Sequence, residues 1–221
     1  MSEPFIAQDP AERFDVVRAD GSPTGRTKPR GEVHRDGDWH RAIHVWVTGD
    51  AGAGPFLLFQ QRSERKDTWP GRLDATVGGH VRAGETTTDA LREIEEEIGV
   101  VAPPRALRPL GVRVWANEAE AGVLDRELQE VFLLRDDRSL TAYRLHPAEV
   151  AALVSFPLPL LLAFLAGETD ELDGLAIAHG AATPKRRTFR RDDFIPTADH
   201  YFYRAAIAAD AAWRGARHVA V

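Results

Sequence analysis

The segment from Gly78 to Val100, GGHVRAGETTTDALREIEEEIGV, constrains the fold of this chain more than any other part of the sequence. It joins a glycine-rich loop to a predicted helix in which Glu93, Glu96 and Glu97 occupy positions i, i+3 and i+4. A helix places these positions on one face, where like charges repel one another and destabilise it. A bound cation would compensate for this repulsion.

A row of glutamates on a helix is usually a solvated surface, and the context decides between that interpretation and a metal site. Glycines precede this helix, Gly99 ends it, and apolar residues mark its buried side, namely Leu91, Ile94 and Ile98. Clustered carboxylates are hard oxygen ligands of the kind that suit Mg²⁺ or Mn²⁺, which also bind substrate phosphates. The segment therefore predicts a metal-dependent site for phosphate chemistry.

The same residues resemble the Nudix box of the MutT/Nudix hydrolases, G-x5-E-x7-R-E-U-x-E-E-x-G-U, in which U is aliphatic. Residues Arg92–Val100 match the second half of this pattern at every specified position. Glu85 stands seven residues before Arg92, where the family has eight, so one residue is missing within Thr86–Leu91. One residue rotates a helix by about 100°, so the direction of Glu85 is not fixed by the resemblance.

The resemblance implies a hydrolase that cleaves a diphosphate linkage with Mg²⁺ or Mn²⁺ and an activated water. It implies that Glu93, Glu96 and Glu97 are metal ligands, with Glu93 also a candidate for the base that orients the water. It implies that Arg92 holds the glutamates in register. Further ligands are implied outside the helix: the carbonyl of Gly78 and a later carboxylate, Glu127 ahead of Asp125 and Glu130.

Residues from Phe14 to Arg135 also resemble the branch of the superfamily that contains type I isopentenyl-diphosphate isomerase. Five residues fall at or near the positions of the isomerase's metal ligands: His34, His40, His80, Asp125 and Glu127. Arg62 and Lys66 have the four-residue spacing of its diphosphate-binding pair, so they are expected to bind substrate phosphate, with His80 lining the site. The isomerase needs a Cys where this chain has Gly78, and the chain contains no Cys. Hydrolysis is therefore expected rather than isomerisation.

Alternatives to the hydrolase interpretation stay open at this point. One is an isomerase-like enzyme that binds isoprenoid diphosphate, and another is a non-catalytic Nudix module that binds a ligand. His40 and His44 lie four residues apart on a predicted strand and allow either a structural or a metal-binding interpretation. The basic run Lys185–Arg191 allows either a solvated loop or an anion clamp.

Composition limits the partners and the location of the chain. Its net charge of −6 argues against general nucleic-acid binding, and the expected partner is a small-molecule diphosphate. The N-terminus has neither a basic start nor a long apolar run, so we expect a cytoplasmic protein. Residues 150–167 lack charge but contain Pro157 and Pro159, so no membrane span is predicted. Nudix proteins are often dimers, which makes a homodimer a further expectation.

The order of predicted elements indicates an α/β (α+β) fold, a Nudix-type α/β/α sandwich with a mixed sheet and a C-terminal helical extension. We expect a flexible tail over residues 1–13, a Nudix domain over 14–168 with its box at 78–100, and a C-terminal loop and helix over 169–221 packed on that domain. The predicted strands are Phe14–Val17, Thr24–Thr27, His40–Thr48, Phe56–Arg62, Arg108–Trp115 and Leu128–Arg135. A short helix is predicted over 147–154, a second, buried helix follows it and ends at about Ala166, and a third is predicted over Thr197–Arg214.

Overall fold

The computed structural model describes residues 9, 11–66, 68–119 and 123–221. Its strands, in chain order, are β1 (Arg13–Val17), β2 (Pro23–Pro29), β3 (His40–Asp50), β4 (Pro55–Arg62), β5 (Leu73–Ala75), β6 (Val77–His80), β7 (Leu107–Ala119), β8 (Val123–Arg135), β9 (Val150–Pro157), β10 (Leu172–Ala178) and β11 (Lys185–Phe189). Its α-helices are α1 (Arg30–Asp36), α2 (Thr87–Ala90), α3 (Glu93–Ile98), α4 (Leu158–Ala166) and α5 (Tyr201–Trp213).

A mixed sheet forms the centre of the molecule, with strand order β11-β10-β9-β4-β3-β8-β7. Only β3 and β8 pair in parallel among these neighbours, and β1 and β2 form a separate hairpin. Alternate residues of a strand face opposite sides of a sheet. Ile43, Val45 and Val47 accordingly pack with Ile94 and Ile98 of α3 on one face. Trp46 on the other face packs with α4 and α5, so the predicted sandwich is confirmed.

The sheet divides into a fork between β3 and β4. These strands pair directly only between Val47–Asp50 and Pro55–Leu58. Further along, β5 pairs with β4 while β6 pairs with β3, so one segment lies between the two strands. Thr76, at the junction, donates its hydroxyl proton to the Leu58 carbonyl and accepts the Val47 amide proton at 3.0 Å. These bonds satisfy two backbone groups that would otherwise be buried without partners.

The predicted box helix is two short helices joined by a tight turn. A capping box between Thr86 and Asp89 begins α2. The amides of Leu91, Arg92 and Ile94 then bond the carbonyls three residues earlier, at 3.2–3.3 Å. Such 3₁₀ winding has about 3.0 residues per turn instead of 3.6. The turn brings Arg92 within 3.4 Å of the Glu85 carboxylate despite the missing residue.

The prediction of a helix over residues 147–154 was wrong, because Val150–Pro157 forms strand β9. This strand lies between β4 and β10 and is buried on both faces over most of its length. A strand of this kind is a continuous apolar run, and its sequence cannot be distinguished from a buried helix by periodicity.

The C-terminal segment contains strands as well as the predicted loop and helix. The sequence predicts that the first part of this segment, residues 169–195, is rich in loops, but β10 and β11 form an antiparallel hairpin there at the edge of the main sheet. The predicted basic run lies largely on β11, whose first four residues are exposed. Solvated charged residues are common on edge strands and hide the alternation that would predict a strand.

The N-terminal residues are described only in part. Arg13 begins β1, and Glu12 forms an ion pair of 2.7 Å with Arg82. The expected tail over residues 1–13 otherwise falls mostly outside the described residues. Within the described part of the chain, no helix has the length and apolar character required to cross a membrane.

Candidate active site

A cavity of about 490 Å³ opens at the fork of the sheet. The box helix α3 reaches it from one face of the sheet, and the strands β3, β6, β7 and β8 contribute side chains from the other. Most of the predicted site residues line it, namely Arg62, Lys66, Gly78, His80, Glu93, Glu96, Glu97 and Glu127. The structure therefore brings together residues that are separated by up to 65 positions in the chain.

The box carboxylates differ in burial. Glu97 is only 2% exposed, and its Oε2 accepts protons from Gln60 Nε2 at 3.2 Å and from the Gly78 amide at 3.4 Å. Burial raises the pKa of Glu97 well above its ordinary value and raises the pKa of Glu93 to about 7. The absence of a side chain at Gly79 lets Glu93 pack against strand β6, since a Cβ at residue 79 would collide with the Glu93 side chain.

Arg92 lies in the middle of the acidic residues that the sequence associates with it. Its guanidinium nitrogens are 3.4 Å from Glu85, 3.0 Å from Glu93 and 3.5 Å from Glu96. Arg82 approaches Glu96 from the other side at 3.8 Å. This arrangement partly neutralises the cluster, although none of the three guanidinium nitrogens of Arg92 forms a hydrogen bond with a described residue.

A second cluster of candidate ligands lies in the same cavity wall. Within the described ranges, ligand atoms lie within 4.8 Å of one another in two groups, His34–His40–His80 and His40–Asp125–Glu127. The parallel register of β3 and β8 places His40 beside Glu127, and His80 Nε2 lies 2.9 Å from Glu127 Oε1. His34 Nε2, His40 Nε2 and Asp125 Oδ1 are buried without a hydrogen-bond partner. Such orphaned atoms fit a cation.

Burial tunes the protonation of this cluster. It lowers the pKa values of His34 and His80 to about 3, with the positive Arg30 acting in the same direction. Both imidazoles are thus neutral at pH 7 and keep a lone pair. Burial alone raises the pKa of Glu127, but the imidazole of His40, 3.6 Å away, and the hydrogen bond with His80 outweigh it and hold that pKa well below the usual range. Burial and the neighbouring Glu127 raise the pKa of Asp125 to about 7.

The expected phosphate-binding cations already have protein partners. Arg62 Nη1 lies 3.1 Å from Asp74 Oδ2, and Arg62 Nε donates to the Thr68 carbonyl at 3.0 Å. Lys66 forms an ion pair with Glu149. Glu149 raises the pKa of Glu97 through its charge and also lines the cavity, but no motif or spacing in the sequence distinguishes it.

The three later carboxylates that the sequence offered are separated by the strand. Asp125 and Glu127 project into the cavity. Glu130 has the opposite parity on β8 and instead binds Arg41 and the Thr87 hydroxyl. Glu130 therefore anchors the start of α2 and is not among the described residues that line the cavity.

The C-terminal segment supplies contacts that the sequence did not predict. Arg113 lies over the rings of Trp115 and Tyr201, with its guanidinium carbon 4.3 and 4.0 Å from the ring centres. Asp199 accepts two hydrogen bonds from the same guanidinium, at 2.8 and 3.1 Å. His44 Nδ1 lies 3.1 Å from the Tyr201 hydroxyl, and burial lowers the pKa of His44.

Comparison with known proteins identifies similar chains. A family model described as NUDIX domain matches residues 38–173. Nudix hydrolase 3 of Arabidopsis thaliana is 40% identical over 161 residues, which are 71% of this chain and 21% of that protein. An uncharacterised Nudix hydrolase of Clostridium acetobutylicum is 32% identical over 195 residues, which are 86% of this chain and 93% of that protein.

The isomerase resemblance also appears in the comparisons. Isopentenyl-diphosphate Δ-isomerase of Escherichia coli is 30% identical over 131 residues, covering 58% of this chain and 69% of the isomerase. A crystal structure from Deinococcus radiodurans superposes with a TM-score of 0.54 and 26% identity, covering 71% of this chain and 90% of the other.

Proposed function

Because the chain belongs to the Nudix family, we propose that it is a metal-dependent hydrolase of an organic diphosphate, with nucleoside diphosphate derivatives as the first candidate substrates. One observation carries the proposal. The box glutamates, the cations Arg62 and Lys66, and every member of the histidine–carboxylate cluster except the fully buried His40 line one cavity. Carboxylates for metal ions and cations for phosphate are the two groups that diphosphate hydrolysis requires.

The residues present fit Mg²⁺ or Mn²⁺. We assign Glu93, Glu96 and Glu97 as ligands from the box, together with the Gly78 carbonyl, and Glu127 as a ligand from the second cluster. A divalent ion at these groups would neutralise phosphate oxygens and acidify water. Asp125 and Glu149 join this proposal as additional candidates, because both carboxylates line the same cavity.

The chain's own groups have separate tasks in this proposal. Glu93, with a pKa of about 7, suits a group that accepts a proton from water near neutral pH. Arg92 keeps Glu93 in place through its 3.0 Å contact. Arg62 and Lys66 would donate hydrogen bonds to phosphate oxygens, and Lys66 would then share its charge with Glu149.

A cleavage screen tests the proposal. Wild-type protein would be assayed with Mg²⁺, Mn²⁺ or EDTA against nucleoside triphosphates, dinucleotides, nucleotide sugars and prenyl diphosphates. The products would be separated by chromatography, because cleavage of a dinucleotide or a nucleotide sugar yields two phosphate monoesters and no free phosphate. We expect cleavage of at least one class, abolished by EDTA. Glu97→Gln should lose metal affinity and turnover together, whereas Glu95→Gln, which alters an exposed carboxylate of the same helix, should not. Equal turnover of the two variants would refute the assignment.

Isomerisation of isopentenyl diphosphate is the second candidate. The cluster of His34, His40, His80, Asp125 and Glu127, together with the 30% identical isomerase, favours it. Gly78 argues against it, because it supplies no acid or base where the isomerases that this chain resembles have a Cys. Incubation in deuterated water decides between the two: enzyme-dependent deuterium in the carbon skeleton would establish isomerisation.

We further propose that residues 14–168 form the catalytic domain and that 169–221 pack on it. A homodimer and a cytoplasmic location stay predictions from the sequence. Gel filtration with light scattering would test the first, and fractionation of the source cells would test the second.

A further inference from the structure

We propose that His44 donates a hydrogen bond from Nε2 to a phosphate oxygen of the substrate, and that Tyr201 and Trp46 hold its ring in the tautomer that this requires. The inference rests on the proposed diphosphate hydrolysis and adds to it a substrate-binding residue outside the Nudix box. Tyr201 is a positioning residue in this scheme, because it acts only through His44.

The position of His44 gives it access to the cavity. Its partner across the β3–β6 ladder is Gly78, so the two residues face the same side of the sheet. A Cβ at residue 78 would lie 3.5 Å from both Cδ2 and Nε2 of His44. Glycine therefore leaves the Nε2 edge uncovered, and His44 lines the cavity although only 7% of its surface is exposed.

Hydrogen bonding on the other edge of the ring determines the tautomer. The indole nitrogen of Trp46 can only donate, and it donates to the Tyr201 hydroxyl oxygen at 2.9 Å. The single proton of Tyr201 has no other acceptor among the described residues, so we assign it to His44 Nδ1, 3.1 Å away. Because Nδ1 accepts this proton, the neutral ring carries its own proton on Nε2. Trp46 and Tyr201 are completely buried, so water does not compete for these bonds.

The tautomer selects the ligand chemistry of His44. A protonated Nε2 has no lone pair for a metal ion, which separates His44 from the cluster of His34, His40 and His80. Among the described residues, no side chain or backbone group forms a hydrogen bond with Nε2. Gly78, opposite His44, donates its amide proton to Glu97, which is a proposed ligand of the metal ion. The Nε2 donor of His44 therefore lies beside the place where the metal ion would hold the substrate's phosphate, and a phosphate oxygen is a suitable acceptor for it.

Nitrogen NMR on histidine-labelled protein tests the tautomer and the contact without any turnover. His44→Leu would assign the resonance. We expect the Nε2-protonated form in wild type and its partial loss in Tyr201→Phe, which removes only the hydroxyl. Methylenediphosphonate with Mg²⁺, at millimolar concentration, should shift the His44 Nε2 resonance. An Nδ1-protonated ring, or no shift at saturation, would overturn the inference.

Kinetics test the same contact during turnover. His44→Leu should raise KM for the best diphosphate substrate about tenfold, the factor that 1.4 kcal/mol of lost binding produces. His44→Gln retains an N–H donor and should recover part of this loss, while Tyr201→Phe should fall between wild type and His44→Leu. A KM within twofold of wild type for His44→Leu, in an active protein, refutes the role of His44. An inactive wild type instead refutes the proposed hydrolase and leaves the NMR test to decide on His44.

Discussion

At the scale of one residue, Glu93 shows how a group placed for function can lower the stability of the folded protein. Its carboxylate is mostly buried beneath Gly79, and its positive neighbours do not fully offset the loss of solvation, so its pKa rises to about 7. A side chain held in this way favours the protonated form in the metal-free protein. Binding of a cation would relieve the cost, which links metal affinity to folding.

We predict that Glu93→Gln stabilises the metal-free protein, and that the effect depends on pH. An acid whose pKa is raised in the folded state contributes stability at low pH that is lost as the pH rises from about 4.5 to about 7. Glutamine cannot ionise, so the variant does not suffer this loss of folding stability, which is at most about 3 kcal/mol in the wild type. Urea unfolding in EDTA should show the variant more stable at pH 8 and equal to wild type at pH 4.5.

Magnesium provides the control for that measurement. Added Mg²⁺ should stabilise wild type more than Glu93→Gln, because the variant has lost a charged ligand. The same stability difference at both pH values would show that the Glu93 carboxylate is not destabilised by burial.

Arg62 has a structural and a proposed binding role, and kinetics can separate them. We predict that Arg62→Ala raises KM about tenfold, which corresponds to 1.4 kcal/mol of binding free energy. Arg65→Ala is the matched control, because Arg65 lies three residues further on with its side chain exposed. If both variants keep KM within twofold of wild type, Arg62 is a structural partner of Asp74 and Thr68 and does not bind substrate.

At the scale of elements, residues were predictable where local pattern and tertiary position agree. The box glutamates repeat at helical spacing, and the strand around His44 interleaves polar residues with apolar ones although nearly all of them are buried, so both were recognisable from the sequence. β9 was not, because a central strand is apolar on both faces. β11 was not, because its exposed lysine and arginines lack alternation. The 3₁₀ turn before Arg92 follows from packing that the shortened spacing alone does not reveal.

The end of α3 offers a prediction at this scale. Gly99 adopts φ of 70°, and a Cβ there would lie 2.8 Å from the Arg144 Cβ. Gly180, between β10 and β11, has a similar φ of 74° but open space around it. Both Gly→Ala variants carry the same left-handed strain, so the difference between them isolates the collision. We predict that Gly99→Ala loses about 2 kcal/mol more stability than Gly180→Ala in urea unfolding.

Equal losses in the two variants would show that Arg144 moves aside without cost. In that case the direction of α3, and with it the positions of Glu93 and Glu97, would not depend on the glycine that ends the helix.

At the scale of the whole molecule, the cavity combines segments that are far apart in the chain. The box, Arg62 and Lys66 belong to recognisable local patterns, so the sequence was sufficient to propose them. Glu149 and Arg113 have no local signature, and His44 has only its spacing from His40, because the fork of the sheet is what brings these residues to the cavity. Asp199, just before α5, reaches the cavity only through its hydrogen bonds to Arg113. Asp199 and Tyr201 also lie beyond residues 38–173, so the C-terminal segment adds features to the matched domain.

The most direct test of the account is hydrolysis in ¹⁸O-labelled water with Mg²⁺, followed by mass spectrometry of the products. The substrate would be the most rapidly cleaved member of the substrate screen, and EDTA-treated protein would be the control. We predict metal-dependent cleavage that places one ¹⁸O atom in a phosphate product and leaves the carbon skeleton of the substrate unchanged. Absence of metal-dependent ¹⁸O incorporation across all the diphosphate classes, with folded protein that binds Mg²⁺, would contradict the assignment of this cavity to diphosphate hydrolysis.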